Sequence, residues 1–259
     1  MAHTELEQIR PQVYKDPRPA ETFAPFHART RSRGPDFIYE ATRAVTCLYA
    51  WTVFRARAIH AERVPAAGPV ILAPNHFSFM DHFFLGGALR RKVHFMAKSQ
   101  LFKPPMQWIF THGGVFPVRR GLADDEAFIT ARVVLRRGGC VGMYAEGGRS
   151  RTGTLSERAR RGIGRLALES GAPVVPVAIH GSARVRNWKR MQFPRVTVLY
   201  GDPVAWEQVE APTRDQQQTV ADAVFAEIKR LYREVETHGT RELLRCGRRG
   251  AASRPGGSG

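Results

Sequence analysis

The fold of this 259-residue chain is predicted most directly from one segment, Pro69-Val-Ile-Leu-Ala-Pro-Asn-His-Phe-Ser-Phe-Met-Asp-His82. An apolar run at 69–73 is followed by polar residues and then by an apolar segment at 83–89, which is the pattern of a strand, a turn and a helix. His76 and Asp81 lie in the turn. An acid beside a histidine fixes the imidazole tautomer and stabilises its protonated form, so this pair is the minimum that a general base requires.

A structural explanation fits the same residues. Ser78-Phe-Met-Asp81 matches a helix capping box, with Ser78 as the N-cap residue and Asp81 at the third helical position. A histidine near an aspartate is more often a structural neighbour than a catalyst. The stretch alone therefore leaves both interpretations open.

Composition indicates one basic, globular domain. Hydrophobic residues make up 43% of the chain, and 40 Lys+Arg against 23 Asp+Glu give a formal net charge of +17. Such a surface favours nucleic acid, an anionic membrane, or phosphorylated substrates and acidic carriers. The three cysteines show no disulfide or metal spacing, and the N-terminus shows no signal-peptide pattern. We therefore expect a reduced, intracellular protein.

Strand and helix patterns alternate along the chain. Strands are predicted at 92–97, 113–120, 140–145, 173–179 and 195–200, and helices at 98–112, 124–137, 156–170 and 213–236. This alternation predicts a single α/β domain with a mostly parallel mixed sheet flanked by helices. The domain is expected to span residues 63–237.

Three further segments are predicted around this domain. Residues 1–35 contain five prolines and no periodicity, which favours an extended or disordered arm, and residues 238–259 form a basic tail that we expect to be disordered. Residues 36–62 predict an amphipathic helix whose aromatic residues and flanking arginines suit a membrane interface, although a helix docked on the core fits equally. Its apolar part, residues 44–54, is shorter than the roughly 20 residues needed to span a bilayer.

Polar side chains follow three of the predicted strands, where active sites of parallel sheets lie. The three groups are Asn75, His76 and Asp81; Arg119 and Arg120; and Glu146, Arg149, Ser150 and Arg151. A general base beside several arginines indicates proton abstraction from a hydroxyl of a phosphorylated molecule, because guanidinium groups bind phosphate in a bidentate manner. Each group also has a simpler explanation, as a solvated strand end or a local ion pair. Cys140 is predicted to be a core residue, and no metal site is expected.

Taken in order, four blocks resemble those of the glycerolipid acyltransferases, the 1-acylglycerol-3-phosphate acyltransferase family. The blocks are Asn75-His76-x4-Asp81, Gly114-Val-Phe-Pro-Val-Arg119-Arg120, Tyr144-Ala-Glu146-Gly147-Gly148-Arg149-Ser150 and Pro173-Val-Val-Pro176-Val. The similarity covers about residues 59–203. It implies the glycerol-phosphate-acyltransferase-like fold, with 36–62 as the membrane-docking region. Ala145, Gly148 and Pro117 depart from the common pattern and leave the acceptor open.

The resemblance implies a role for each block. His76 is expected to act as the general base and Asp81 to orient it. The expected substrate-binding residues are Asn75, Ser78, Gly114, Arg119, Arg120, Glu146, Gly147, Gly148, Arg149, Ser150 and Pro176, with Pro176 on the acyl-donor side. The implied reaction moves an acyl group from acyl-CoA or acyl-carrier protein, used as a co-substrate with no other cofactor, to a lysophospholipid hydroxyl.

The expected location is the cytoplasmic face of the cell membrane, as a peripheral protein on an anionic surface. An alternative is that the acyl acceptor is a different lyso-lipid or polar lipid. A nucleic-acid binder is a different class, motivated by the net charge and by the cluster Arg184, Arg186, Lys189, Arg190 and Arg195. A non-catalytic membrane-surface protein is a third class. Neither of these last two explains the four ordered blocks, so no nucleic-acid partner is expected.

Overall fold

A seven-stranded mixed sheet forms the centre of the molecule. The computed structural model describes residues 6–7, 9, 15–122 and 124–252, with the backbone alone for 246–252. The strand order is β1-β7-β6-β2-β5-β3-β4, and every neighbouring pair is parallel except β6 and β7. The prediction of an α/β domain with a mostly parallel mixed sheet is confirmed.

The strands and helices alternate along most of the chain. The strands are β1 (Arg57–Ile59), β2 (Val70–Pro74), β3 (Val93–Lys98), β4 (Val115–Val118), β5 (Cys140–Gly142), β6 (Val174–His180) and β7 (Thr197–Tyr200). The helices are α1 (Ala24–Ser32), α2 (Phe37–Thr52), α3 (Asp81–Gly87), α4 (Met106–His112), α5 (Asp125–Arg136), α6 (Gly162–Ser170) and α7 (Arg214–Ala252). Short 3₁₀ segments precede α1 and follow β1, β3 and β6.

Helices cover both faces of the sheet, which explains why β2 consists of five consecutive buried residues. Ile71 packs in the cluster formed with α5, α6 and α7, whereas Val70 and Leu72 pack in the cluster formed with α2 and α3. Successive side chains of a strand point to opposite faces, so one apolar run supplies both cores. Cys140 is buried in this interior, as predicted.

The N-terminal prediction is wrong for residues 20–32. A 3₁₀ turn at Ala20–Phe23 leads into α1 rather than an extended arm. The chain is ordered here because Phe23 is buried and His27 donates to or accepts from Thr130 of α5 at 2.9 Å. Residues 1–5, 8 and 10–14 of the predicted arm lie outside the described residues.

The predicted helix at 36–62 is too long. It begins as expected, since the Asp36 side chain caps it by accepting from the Ile38 N–H, but it ends at Thr52. Arg55 then adopts a left-handed backbone with φ 47°, which turns the chain into β1. Because β1 pairs with β7, the sheet domain starts before residue 63.

Two other boundaries also differ from the prediction. The helix predicted at 156–170 begins only at Gly162, because Ser156 is bonded to the Glu146 carboxylate and the Arg160 N–H donates to the Ala145 carbonyl. The tail predicted as disordered continues α7 to Ala252, past a break at Gly239, and Leu243 is buried against the sheet. Residues 253–259 are not described.

Helices α6 and α7 approach closely at Gly164. A β-carbon on Gly164 would lie 1.9 Å from the Gln217 carbonyl oxygen and 2.9 Å from the Ala221 nitrogen, both of which are backbone atoms. We expect Gly164→Ala to lower the free energy of unfolding by about 1–3 kcal/mol or more, because the helices must separate. Urea unfolding of the purified variant measures this.

Gly34→Ala is the matched control for that substitution. Apart from Gly34 and its two chain neighbours, no heavy atom of the described residues lies within 4 Å of a β-carbon placed there. This variant should unfold at nearly the wild-type urea concentration. Equal stability of the Gly164 and Gly34 variants would contradict the close helix packing.

Candidate active site

His76 and Asp81 form a direct pair at the carboxyl end of β2. His76 follows the strand and Asp81 is the first residue of α3, so the short turn between them brings the side chains together. His76 Nδ1 lies 2.9 Å from Asp81 Oδ2. The same carboxylate oxygen accepts the N–H groups of Phe77 at 2.7 Å and Ser78 at 2.8 Å. Asp81 is fully buried, and its position is fixed by these three bonds.

The predicted capping box is only half present. Ser78 is not the N-cap of α3, which begins at Asp81 after Met80. The Ser78 hydroxyl accepts the Met80 N–H at 3.1 Å, while the Asp81 carboxylate accepts the Ser78 N–H. The turn therefore serves both to start the helix and to fix the acid beside the imidazole.

The surroundings of the pair favour a neutral His76. Burial lowers the pKa of His76 below its usual value of 6.5, and nearby Arg149 and Arg120 act in the same direction. The bond and charge of Asp81 oppose this shift. Because a carboxylate can only accept, His76 Nδ1 carries the proton and Nε2 keeps its lone pair. A neutral imidazole in this tautomer is the form that removes a proton.

His76 lines a cavity of about 520 Å³. Helices α2, α3 and α4 and strand β3 supply most of its wall, which is largely apolar. Its aromatic and aliphatic residues include Tyr39, Phe79, Phe83, Phe95, Met96, Leu101, Met106, Ile109, Phe110 and Val115. This volume lies in the usual range for small-molecule sites.

Four cations among the described residues line the same cavity: Arg43, which pairs with Glu40, and Lys98, Arg120 and Arg149. Burial lowers the pKa of Lys98, and the charges of Arg149 and Arg120 lower it further. The charges of Arg149 and Arg120 also lower the pKa of His76, which lines the same cavity. The site therefore combines an imidazole that can accept a proton, a positive region and an apolar chamber.

Of the predicted site residues, His76, Arg120 and Arg149 line the cavity within the described part of the chain. Glu146 instead contacts protein groups. One carboxylate oxygen accepts the His76 N–H at 2.8 Å, and the other accepts the N–H and hydroxyl of Ser156 at 3.0 and 2.9 Å. Burial raises the pKa of Glu146. Through these contacts Glu146 stabilises the turn that carries His76.

Asn75, Ser150 and Pro176 also lie in the framework around the site. The Asn75 amide donates to the Ile179 carbonyl at 3.1 Å and accepts the Ile179 N–H at 2.7 Å, which ties the end of β2 to β6. The Ser150 N–H donates to the His76 carbonyl at 2.8 Å. Pro176 is paired with Ala73 inside β6. Binding roles for these three residues stay predictions.

The remaining predicted residues lie around turns. Gly114 has φ 79° and a β-carbon there would meet Pro35 at 2.5 Å, so its glycine requirement comes from chain packing. Gly147 has φ 68°, with Gly148 beside it in the same turn. The Arg119 N–H donates to Asp124 at 2.6 Å, and Arg119 does not line the cavity, unlike Arg120.

Four further residues at the site were not predicted: Lys98, His82, Tyr144 and Arg186. Lys98 lies at the carboxyl end of a parallel strand. The same position at the end of another strand indicated Arg119 and Arg120 as site residues, so Lys98 could have been predicted in the same way. His82 lines the cavity, and burial lowers its pKa to about 4. Tyr144 stacks on His76 with ring centroids 3.7 Å apart. No local sequence pattern indicated that stack.

Arg186 belongs to the basic cluster that motivates the nucleic-acid alternative, but the structure does not place it at the surface. It is buried, and its guanidinium donates to the carbonyls of Phe77 at 2.8 Å, Arg151 at 3.0 Å and Ser150. These bonds join the turn after β2 to the loop after β5. The residue is thus internal to the site's framework and is not available to a polyanion.

The sequence that surrounds the paired histidine and aspartate matches a known protein family. Residues 55–180 match the family model described as Acyltransferase. This stretch is slightly under half of the chain and contains both His76 and Asp81, and its similarity to the acyltransferases agrees with the class of enzyme predicted from the motifs.

The chain is similar to several proteins named 1-acyl-sn-glycerol-3-phosphate acyltransferase. One from Bacillus subtilis is 25% identical over 180 residues, which cover 68% of this chain and 87% of that protein. The chloroplastic protein of Brassica napus is 28% identical over 48% of this chain and 37% of its own length. The human beta form is 29% identical over 53% of this chain and 50% of its own length. The chain thus spans half or less of the plant and human relatives.

A crystal structure shares the fold. It is that of the 1-acyl-sn-glycerophosphate (LPA) acyltransferase PlsC from Thermotoga maritima, with a TM-score of 0.57 and 20% identity. The match covers 83% of this chain and 89% of the other.

Proposed function

We propose that this protein transfers a fatty acyl group from acyl-CoA or acyl-carrier protein to the free hydroxyl of 1-acylglycerol-3-phosphate, giving phosphatidate. The observation that supports it is the His76–Asp81 pair at one cavity that also presents Lys98, Arg120 and Arg149. The acceptor named for the relatives carries a phosphate, a hydroxyl and an acyl chain. The phosphate suits the cations, the hydroxyl suits the base, and the acyl chain suits the apolar wall.

In the proposed mechanism, His76 Nε2 removes the acceptor's hydroxyl proton as the oxygen attacks the thioester carbonyl. Asp81 holds Nδ1–H and stabilises the imidazolium that forms. The tetrahedral intermediate then collapses: the carbon–sulfur bond breaks, and the leaving thiolate takes the proton from Nε2. The thioester is already activated, so no acyl-enzyme is required.

An acceptor panel tests the substrate assignment. Purified protein is given labelled acyl-CoA and, in turn, 1-acylglycerol-3-phosphate, other lysophospholipids and monoacylglycerol, with thiol release and product mass as the readouts. We expect phosphatidate as the main product and little reaction with monoacylglycerol, which lacks the phosphate. Preferred acylation of an acceptor without phosphate would contradict the proposal, as would the absence of thiol release with every acceptor.

Arg149→Ala tests the phosphate site within the same assay. Charged hydrogen bonds are worth about 1.5–3 kcal/mol, so we expect kcat/KM for the phosphorylated acceptor to fall by about 10- to 100-fold. Arg158→Ala is the control, since its side chain is 70% exposed and its residue does not line the cavity. If both variants match wild type, Arg149 does not bind the acceptor.

We also propose that α2 lies on an anionic membrane, at the cytoplasmic face. Phe37, Val45, Leu48 and Trp51 of this helix are each more than half exposed. No helix in the described ranges is both long enough and apolar enough to span a bilayer. An apolar helix surface on a basic protein suits interfacial binding. Several α2 residues also line the cavity, so docking would bring lipid to its wall.

Vesicle sedimentation tests this docking surface. We expect Leu48→Ser combined with Trp51→Ser to reduce binding to anionic vesicles by about tenfold or more, because two large apolar groups no longer enter the interface. Val204→Ser, at an exposed valine elsewhere, is the control. Unchanged binding of the double variant would exclude α2 as the contact.

The pH dependence follows from the direction of the His76 shift. The general base must be neutral, and burial lowers its pKa below 6.5. Single-turnover acyl transfer should therefore stay constant from pH 7.5 down to the usual histidine value and decline only at lower pH. An acidic limb centred above pH 6.5 would contradict a buried His76 as the base.

A further inference from the structure

We propose that Tyr144 is a positioning residue for His76: its ring holds the imidazole in the one plane that keeps Nδ1 on Asp81. The centroids of the two rings lie 3.7 Å apart and their planes differ by 16°, so the rings are stacked face to face. The inference rests on the proposed role of His76 as the base. It gives a specific function to Tyr144, a residue to which the resemblance to the acyltransferase blocks assigns no role.

The stack needs a fixed tyrosine, and the backbone provides it. Tyr144 follows β5, the strand beside β2. On one side of it the Met143 N–H donates to the Leu72 carbonyl at 2.9 Å, and on the other the Ala145 N–H donates to the Pro74 carbonyl at 3.2 Å. These bonds lock Tyr144 to the end of the strand that carries His76.

One hydrogen bond does not fix an imidazole. The covalent bond to Cβ and the hydrogen bond from Nδ1 to Asp81 hold two points, but the ring can still rotate about the line between them and carry Nε2 away from the substrate. A flat ring stacked on its face prevents this rotation, because a tilted imidazole would collide with it. The hydrogen bond and the stack together define the position of Nε2.

The tyrosine ring is the acting part, and its hydroxyl is not required for the stack. The Tyr144 hydroxyl oxygen is buried and has no hydrogen-bond partner in the described part of the chain. Removing an unpaired buried hydroxyl does not break an internal bond. Phenylalanine at this position should therefore preserve the stack.

The ring also keeps water from one face of His76. Burial is the main cause of its lowered pKa, and the charged or titratable groups that act on it are Asp81, Arg149 and Arg120, with His82 also coupled to it. None of these is removed when Tyr144 is changed. A shift in the His76 titration on substitution at Tyr144 would therefore report the loss of the covering ring.

Three variants separate the ring from the hydroxyl and from packing. Tyr144→Phe keeps the ring, Tyr144→Leu keeps apolar bulk without a flat face, and Tyr144→Ala removes both. For each we would measure the melting temperature, the steady-state constants for 1-acylglycerol-3-phosphate, and the His76 titration by NMR of histidine-labelled protein, assigned with His76→Asn. The titration requires no acyl transfer.

For Tyr144→Ala we expect kcat to fall about tenfold or more while KM changes less than about threefold, with the pKa of His76 moving up towards 6.5. Tyr144→Leu should lower kcat in the same way if it folds. Tyr144→Phe should restore kcat to within about threefold of wild type, a difference of less than about 0.7 kcal/mol.

Two results would overturn the inference. A folded Ala or Leu variant with wild-type kcat and an unchanged His76 titration would show that the stack does not position the base. A Phe variant as inactive as the Ala variant would assign the effect to the hydroxyl instead. If wild type shows no acyl transfer, the proposed function fails, while the titration still reports whether Tyr144 controls His76.

Discussion

Replacing His76 with alanine should lower kcat for acyl transfer by about 10²- to 10⁴-fold, the usual contribution of a general base. The fold should survive, because the bond that His76 makes to Glu146 comes from its backbone N–H and remains in the variant. Thiol release under saturating acyl-CoA and lysophosphatidate measures the loss, and circular dichroism checks the fold. KM should change little, since the imidazole is not expected to carry the binding of the phosphate.

His238→Ala is the control for this substitution. The His238 side chain is 49% exposed and its nearest acidic partner is Glu242 on the same helix. This variant should keep wild-type rates. A folded His76→Ala protein with the rate of the control would exclude the general-base mechanism.

Asp81→Asn should have the second large effect, with kcat reduced by about 10²- to 10⁴-fold. The amide keeps the shape of the carboxylate but removes its charge, so the imidazolium formed during the reaction is no longer stabilised. Asp81 raises the pKa of His76 against the effect of burial. The acidic limb of the remaining activity should therefore move to lower pH, which a purely structural defect would not cause.

Stability should fall as well, because one Asp81 oxygen accepts three hydrogen bonds in the interior. Weakening these bonds is expected to cost about 1–3 kcal/mol in the free energy of unfolding. Asp202→Asn, at a side chain 74% exposed, is the control and should change neither quantity. An Asp81→Asn enzyme with normal kcat would refute the orienting role of this acid.

The pairing of His76 with Asp81 was predictable from the sequence because it is local. Asp81 lies five positions after His76, and the apolar runs on each side already indicated a strand and a helix. The sheet was predictable for a related reason: consecutive apolar residues in β2 and β6 show strands buried on both faces. Strand β1 was not predicted, because its three residues have an ordinary composition and form a strand only through pairing with β7.

The roles of Glu146 and Arg186 show what local patterns miss. Glu146 looked like a substrate-binding residue because it follows a strand, yet its carboxylate contacts His76 and Ser156, 70 and 10 positions away. Arg186 looked like a surface charge among other arginines, yet it bonds three carbonyls of distant loops. Partners that distant along the chain depend on tertiary packing, which periodicity and composition do not report.

The part of the cavity wall that α2 supplies can change the selectivity for the lipid independently of the residues that perform the proposed chemistry. Tyr39, Thr42, Arg43 and Thr46 line the chamber, but they precede residues 55–180, the part shared with the family. Mutations in α2 can therefore reshape the space for a lipid without touching His76 or Asp81. We therefore expect substitutions in α2 to change which lipid is accepted, while the proposed chemistry stays with His76 and Asp81.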